Sequence, residues 1–217
     1  MDLHWNEDIP KEILSAKNNG KKIIVLLGFA PRQNWHESYT SLQSNWSSQI
    51  NFLRDAINLS KNLRNVFLII KYKAFKCPLR TNSYFENIIN EIDKLENIII
   101  SNNYDEAFYS YKLCSNADLV IAQHTSIADE CLSNDIPVLF YEFTHNMKGI
   151  QTVAFNYSPP GLMCYDSSEL LSKSKSILFD QESMKNEISE LKKKIYYVRD
   201  KGNVKKKIIG HIESMIN

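Results

Sequence analysis

The clearest chemical capacity in this sequence lies in the stretch Gln123-His124-Thr125-Ser126-Ile127-Ala128-Asp129-Glu130. Two small hydroxyls, Thr125 and Ser126, directly follow a short apolar run and sit where a helix should begin. They place O–H donors beside the free backbone N–H groups of a positive helix end, which suits a phosphate. The same two residues would serve equally well as an ordinary N-cap, so spacing alone leaves both readings open. His124, taken singly, reads more readily as a structural histidine than as a proton donor. Glu130 comes a turn into the helix, where a carboxylate can accept both hydroxyls of a ribose or simply complement the helix dipole.

Other polar groups also follow apolar runs. Gly28-Phe29-Ala30-Pro31-Arg32 comes after Ile23–Leu27, Lys71 and Lys73 come after Val66–Ile70, and Glu142 and His145 come after Pro137–Phe140. Several chemistries lack their signatures. No GxGxxG follows the first run, and neither GxxxxGK[ST] nor GxSxG occurs. Nor is there an Asp-X-Asp pair or a clustered set of His, Cys and carboxylates, so no metal site is expected. Metal-free phosphate-ester chemistry survives this screen.

The elements that must position these groups follow from periodicity. Short runs rich in Ile and Val (Ile23–Leu27, Val66–Ile70, Asn97–Ile100, Asp118–Ala122, Pro137–Phe140) suit strands buried on both faces. Between them, apolar residues recur every three or four positions. Leu42, Trp46, Ile50, Leu53 and Ile57 mark one helix, and Phe85, Ile88, Ile89, Ile92 and Leu95 a second. Asp105–Leu113 and Ser126–Leu132 complete the alternation. Strands separated by helix-length segments predict a parallel sheet covered on both faces, a Rossmann-like doubly wound α/β domain. In such a sheet, ligands bind beyond the carboxyl ends of the strands, where the polar residues above fall.

Residues 143–165 lose this periodicity and read as a long loop with one short strand near Leu162–Cys164. Helix returns from Ser168. One stripe runs through Ile188, Leu191, Ile195 and Val198, and another, after Gly202, through Val204, Ile208, Ile212 and Met215. Residues 1–20 show little pattern and read as a lead-in to a single domain spanning 21–217.

Composition narrows the class further. The 217 residues are 43% hydrophobic and 24% charged, close to globular averages. A net charge of +1, from 26 Lys and Arg against 25 Asp and Glu, argues against a general nucleic-acid binder. The charge is uneven: residues 181–217 carry nine Lys and Arg against five Asp and Glu. That basic tail is either a solvated helix face or a peripheral contact for an anionic surface. No apolar run is long enough to span a bilayer. Cys77, Cys114, Cys131 and Cys164 form no CxxC pair and read as thiols of a reducing, cytoplasmic compartment.

The stretch ADLVIAQHTSIADECLSNDIPVLFYE resembles the donor-binding half of GT-B glycosyltransferases, which consist of two facing Rossmann-like domains. Those enzymes carry a helix Glu seven residues before a Pro-Val that opens the next strand, matched here by Glu130 and Pro137-Val138. Thr125-Ser126 resembles the pyrophosphate-binding turn of capsule and teichoic-acid polymer transferases. LIIKYK is similar to their Leu-Ile-Lys/Arg-X-His-Pro element, keeping Lys71 and lacking the His-Pro. The likeness covers about residues 21–142, and GNVKKKIIGHIESMIN is loosely similar to their closing helix.

The resemblance implies a nucleotide-activated sugar as substrate, with no separate cofactor and no metal. Glu130 would hold the ribose, and Gly28, Thr125 and Ser126 would lie along the diphosphate. Arg32, Lys71 and His124 would stabilise the departing phosphate or a sugar oxygen. Base recognition would fall near Ser101–Asp105. The acceptor-binding half would come from a partner subunit, a second copy or a longer chain. An epimerase or hydrolase of the same architecture, and a non-catalytic partner subunit, are the alternatives.

Overall fold

The computed structural model describes residues 9–28, 46–72, 78–101, 108–123, 125–142, 160–180, 186, 188, 189 and 204–216. The apolar runs become strands, as their burial on both faces requires: β1 Lys22–Gly28, β2 Val66–Tyr72, β3 Ile98–Ile100, β4 Leu119–Ala122, β5 Val138–Tyr141 and β6 Met163–Cys164. They form one sheet in the order β3-β2-β1-β4-β5-β6, and every neighbouring pair is parallel. The doubly wound α/β fold expected from the sequence is therefore present.

Alternation along β1 supplies both halves of the core. Ile24 and Leu26 enter one apolar cluster, and Ile23, Val25 and Leu27 the other. Each such buried side chain contributes roughly 1.5–3 kcal/mol of transfer free energy. The first cluster is closed by α2 (Trp46–Asn62), α3 (Glu86–Ile92) and α6 (Ser167–Phe179). The second is closed by α1 (Lys11–Asn18), α4 (Tyr109–Ser115) and α5 (Ser126–Ser133). A further helix, α7 (Val204–Ile216), stands where the stripe after Gly202 places it.

Two elements depart from the sequence reading. Residues 11–18 form α1, although no periodicity marks them. Its buried side is only Ile13 and Ala16, too narrow to register as a stripe, and its start rests on Pro10, whose fixed φ suits a helix N-terminus. The helix expected from Asp105 begins instead at Tyr109. Phe108 has a φ of 65°, a left-handed conformation that cannot continue an α-helix toward the N-terminus. Residues 42–45 and 102–107, and the stripe residues Leu191, Ile195 and Val198, lie outside the described residues.

The register that sets the site is locked at the opposite edge of the sheet. Asp118, just before β4, accepts from the backbone N–H of Ile23 at 2.8 Å and from Lys22 Nζ at 3.0 Å. This carboxylate fixes β4 against β1, so that Leu27 pairs with Ala122 at the carboxyl end. Asp166 caps α6 by accepting from the N–H groups of Ser168 and Glu169 at 3.0 and 2.9 Å. Among the described residues, no helix is long and apolar enough to cross a membrane.

Candidate functional site

The strand order puts β1 at the centre, with β2 on one side and β4 on the other. The chain leaves β1 for α2 on one face and leaves β4 for α5 on the opposite face. The helices that follow these adjacent strands thus lie on opposite faces, the arrangement that in parallel sheets opens a crevice at the strands' carboxyl ends. Gly28 ends β1, and Gln123, Thr125 and Ser126 follow the end of β4. Because all strands are parallel, the carboxyl ends of β2, β3 and β5 lie at the same edge.

Gly28 has a packing reason to be glycine. A Cβ there would lie 2.8 Å from Tyr72 Cε1 and 3.1 Å from Phe52 Cε1. Tyr72 is fully buried and meets Phe52 edge to face, so neither ring has room to withdraw. Gly28→Ala is expected to destabilise the domain by about 1–3 kcal/mol and to lower Tm by about 3–10 °C in a thermal melt. An unchanged Tm would show that the rings yield freely.

Lys71 is buried rather than projected into solvent, and Nζ donates to the carbonyl oxygen of Tyr72 at 2.8 Å. Burial holds its ammonium below the ordinary lysine range. Strand register places Lys71 beside Leu27 on β1, and the N–H of Ser101 donates to Ile70 on the same strand. Ser101 is only 3% exposed, and among the described residues its hydroxyl has no hydrogen-bond partner. This buried donor stands at the carboxyl edge of the sheet.

Thr125 is the N-cap of α5, with Oγ1 accepting from the N–H of Ile127 at 3.4 Å. That distance is long for such a bond, so the hydroxyl is only loosely engaged. Ser126 is exposed at the first helical position. Glu130 stands half-buried on α5 and accepts from the phenol of Tyr111, on α4, at 3.0 Å. Burial, then this carboxylate, raises the Tyr111 pKa, so the phenol stays a donor and fixes the Glu130 rotamer. Tyr111 is a residue that sequence reasoning missed, since nothing in spacing links positions on two different helices. Arg32 and His124 lie outside the described residues, as do Phe29, Trp35 and 143–159.

Gln123 and Glu142, following β4 and β5, are buried, at 4% and 1% exposure. Among the described residues, no group of three or more His, Cys, Asp or Glu is placed to hold a metal ion. A separate groove of about 380 Å³, lined by Asn51, Arg54, Tyr84 and Asn87, lies along α2 and α3 and includes none of the strand-end residues. Cys114, Cys131 and Cys164 are buried free thiols. Burial pushes the Cys164 thiol up to about 12, which makes it inert packing.

Known structures share this architecture. A protein from Listeria monocytogenes, described as a UDP-N-acetylglucosamine 2-epimerase, superposes with a TM-score of 0.61 at 14% identity, over 100% of this chain and 51% of that one. The wall teichoic acid polymerase TagF, soaked with CDPG, gives 0.54 at 17% identity, over 98% of this chain and 43% of that one. The C-terminal domain of the group 1 glycosyl transferase LpcC from Francisella tularensis gives 0.50 at 11% identity, over 89% of this chain and 95% of that one. The chain shares the fold of one Rossmann-like domain of these structures. The chain spans about half the length of the two larger structures, while the isolated LpcC domain matches it nearly end to end. No protein-family model matches the chain, and no curated protein matches it.

Proposed function

We propose that this domain binds a nucleotide-activated sugar in the crevice between β1 and β4, as the donor-binding part of a glycosyltransferase acting in surface polysaccharide synthesis. The observation that carries the reading is the coincidence of the topological switch point with the hydroxyl turn Thr125-Ser126 and with Glu130, held by Tyr111. Glu130 accepts from the ribose hydroxyls, and the start of α5 faces the diphosphate. Lys71 and Arg32 supply positive charge to the leaving phosphate, and His124 donates to a phosphate or sugar oxygen. Ser101 gives its unpartnered hydroxyl to the base or ribose. The teichoic acid and LpcC likenesses support the transferase assignment, and the sequence resemblance to polymer transferases points the same way.

An epimerase-type reading has its own support. The Listeria structure superposes over the whole chain at a higher TM-score than TagF does. Both readings share the nucleotide site and differ in what happens to the sugar.

A thermal-shift screen with UDP, GDP, CDP, CMP and their sugars tests the shared site. At least one nucleoside diphosphate is expected to raise Tm, equally with and without EDTA, because the diphosphate is held by fixed donors. A shift abolished by EDTA and restored by Mg²⁺ or Mn²⁺ would overturn the metal-free reading. Product analysis with the best-binding sugar nucleotide then separates transfer from epimerisation.

A further inference from the structure

Glu130 is held at both ends. Its carbonyl oxygen accepts from Ser133 Oγ at 2.8 Å and from Asn134 Nδ2 at 2.9 Å, which secures its backbone in the last turn of α5. Its carboxylate is held from outside that helix, Oε1 accepting from the Tyr111 phenol at 3.0 Å. α4 leads from β3 to β4 and α5 from β4 to β5, and both close the same face of the sheet, so this bond joins two successive crossovers. Tyr111 is steadied in turn by Phe108, whose ring meets it at 6.1 Å with the two planes inclined by 57°. Phe108 takes a left-handed φ of 65° directly before α4, a conformation that costs any residue but glycine free energy.

The value of such a hold depends on what the carboxylate binds. A glutamate left to itself samples several rotamers, and a ligand must order it at a cost to affinity. A carboxylate can accept about four hydrogen bonds, and the one given to Tyr111 at Oε1 sets the direction in which Oε2 points. Ribose offers two neighbouring hydroxyls, so a carboxylate aimed in advance gains from both, whereas deoxyribose offers only one of them. A loose carboxylate could turn toward whichever hydroxyl is present. A fixed one leaves an acceptor unmet when a hydroxyl is missing, and that is what rejects the lesser ligand.

We propose that Tyr111 is a positioning residue which, with Phe108 against its ring, aims Glu130 at a ribose diol and makes the site selective for ribonucleotides over deoxyribonucleotides. The role of Tyr111 rests on the nucleotide site proposed above. Tyr111 reaches the ligand through Glu130 rather than by touching it.

The test is calorimetric titration with whichever of UDP, CDP and GDP gives the largest thermal shift, and with its 2′-deoxy counterpart. The unaltered chain is expected to favour the ribonucleotide about tenfold or more, the effect of one hydrogen bond to a charged group. Tyr111→Phe removes a single oxygen and should cut that preference to about threefold or less, with the affinity for the deoxynucleotide nearly unchanged. Phe108→Gly accepts the left-handed backbone without the ring and should lower the preference in the same direction. Adding Tyr111→Phe to Glu130→Ala should change nothing further, since the phenol acts on the ligand through the carboxylate. A purely structural tyrosine would instead weaken both nucleotides by the same factor. That result, a full preference in Tyr111→Phe, or equal affinity of the unaltered chain for the two nucleotides would overturn the proposal while leaving a nucleotide site in place. No binding by the unaltered chain would overturn the nucleotide site and the role of Tyr111 with it.

Discussion

Given a nucleotide sugar and a simple acceptor, the 217-residue chain alone is expected to transfer sugar at least about 10⁵-fold more slowly than it does beside an acceptor-binding half. The chain spans 51% and 43% of the two larger structures it matches, and the proposed donor site lies at the carboxyl edge of its sheet. Holding acceptor and donor in attack geometry supplies about 7–11 kcal/mol of a barrier, and an open crevice supplies little of it. The donor groups remain, so nucleotide binding should persist while transfer nearly vanishes. A radiolabelled-sugar assay, with and without a separately expressed acceptor-binding partner, measures this. Rapid turnover by the monomeric chain with a simple acceptor would contradict it.

The second large effect concerns stability. Tyr141 on β5 is 1% exposed, and its phenol donates to Asp55 Oδ2 on α2 at 2.6 Å. This bond ties α2, the helix that follows β1, to β5, two strands away from β1 in the sheet. A hydrogen bond to a charged acceptor contributes roughly 1.5–3 kcal/mol, and its removal leaves a carboxylate without that donor. Tyr141→Phe should therefore lower Tm by about 4–10 °C.

The same contact predicts an alkaline signature. Burial first, and the Asp55 bond second, raise the Tyr141 pKa well above its ordinary value of 10.0. Above about pH 10 the unfolded chain loses this proton while the folded protein keeps it. The stabilisation is thus full below pH 10 and declines as pH rises further. Burial of Lys71 acts in the opposite sense, since its depressed pKa lets the unfolded chain hold more protons and stability rise with pH as the fold sheds that charge. Urea midpoints at pH 8 and about pH 11 should show a steeper fall for the unaltered protein than for Tyr141→Phe. Equal slopes would show that the phenol does not govern the alkaline limb.

The fold was legible because burial on both faces leaves continuous apolar runs. Ile23–Leu27 and Val66–Ile70 could hardly be anything but central strands, and their ends define the carboxyl edge of the sheet. α1 was illegible because two buried residues in eight make no stripe. The start of α4 was misplaced because a left-handed Phe108 has no compositional signal, as a glycine would have had. Within the site, Glu130 stood out through its spacing from Pro137, yet its partner Tyr111 could not, because that contact exists only once α4 and α5 pack. Gly28 drew notice as a ligand-side glycine, while its crowding by Tyr72 and Phe52 became visible only in three dimensions. The Ser101 hydroxyl shows the same limit, since burial without a partner is a property of the packed sheet.

Titration calorimetry of the unaltered chain and Glu130→Ala against the best-binding nucleoside diphosphate, in EDTA, tests the central claim most directly. The account predicts saturable 1:1 binding that weakens about tenfold or more in the variant, with Tm in the absence of ligand nearly unchanged. Equal affinity for the two proteins would remove Glu130 from the site, and no binding by the unaltered chain would remove the site itself.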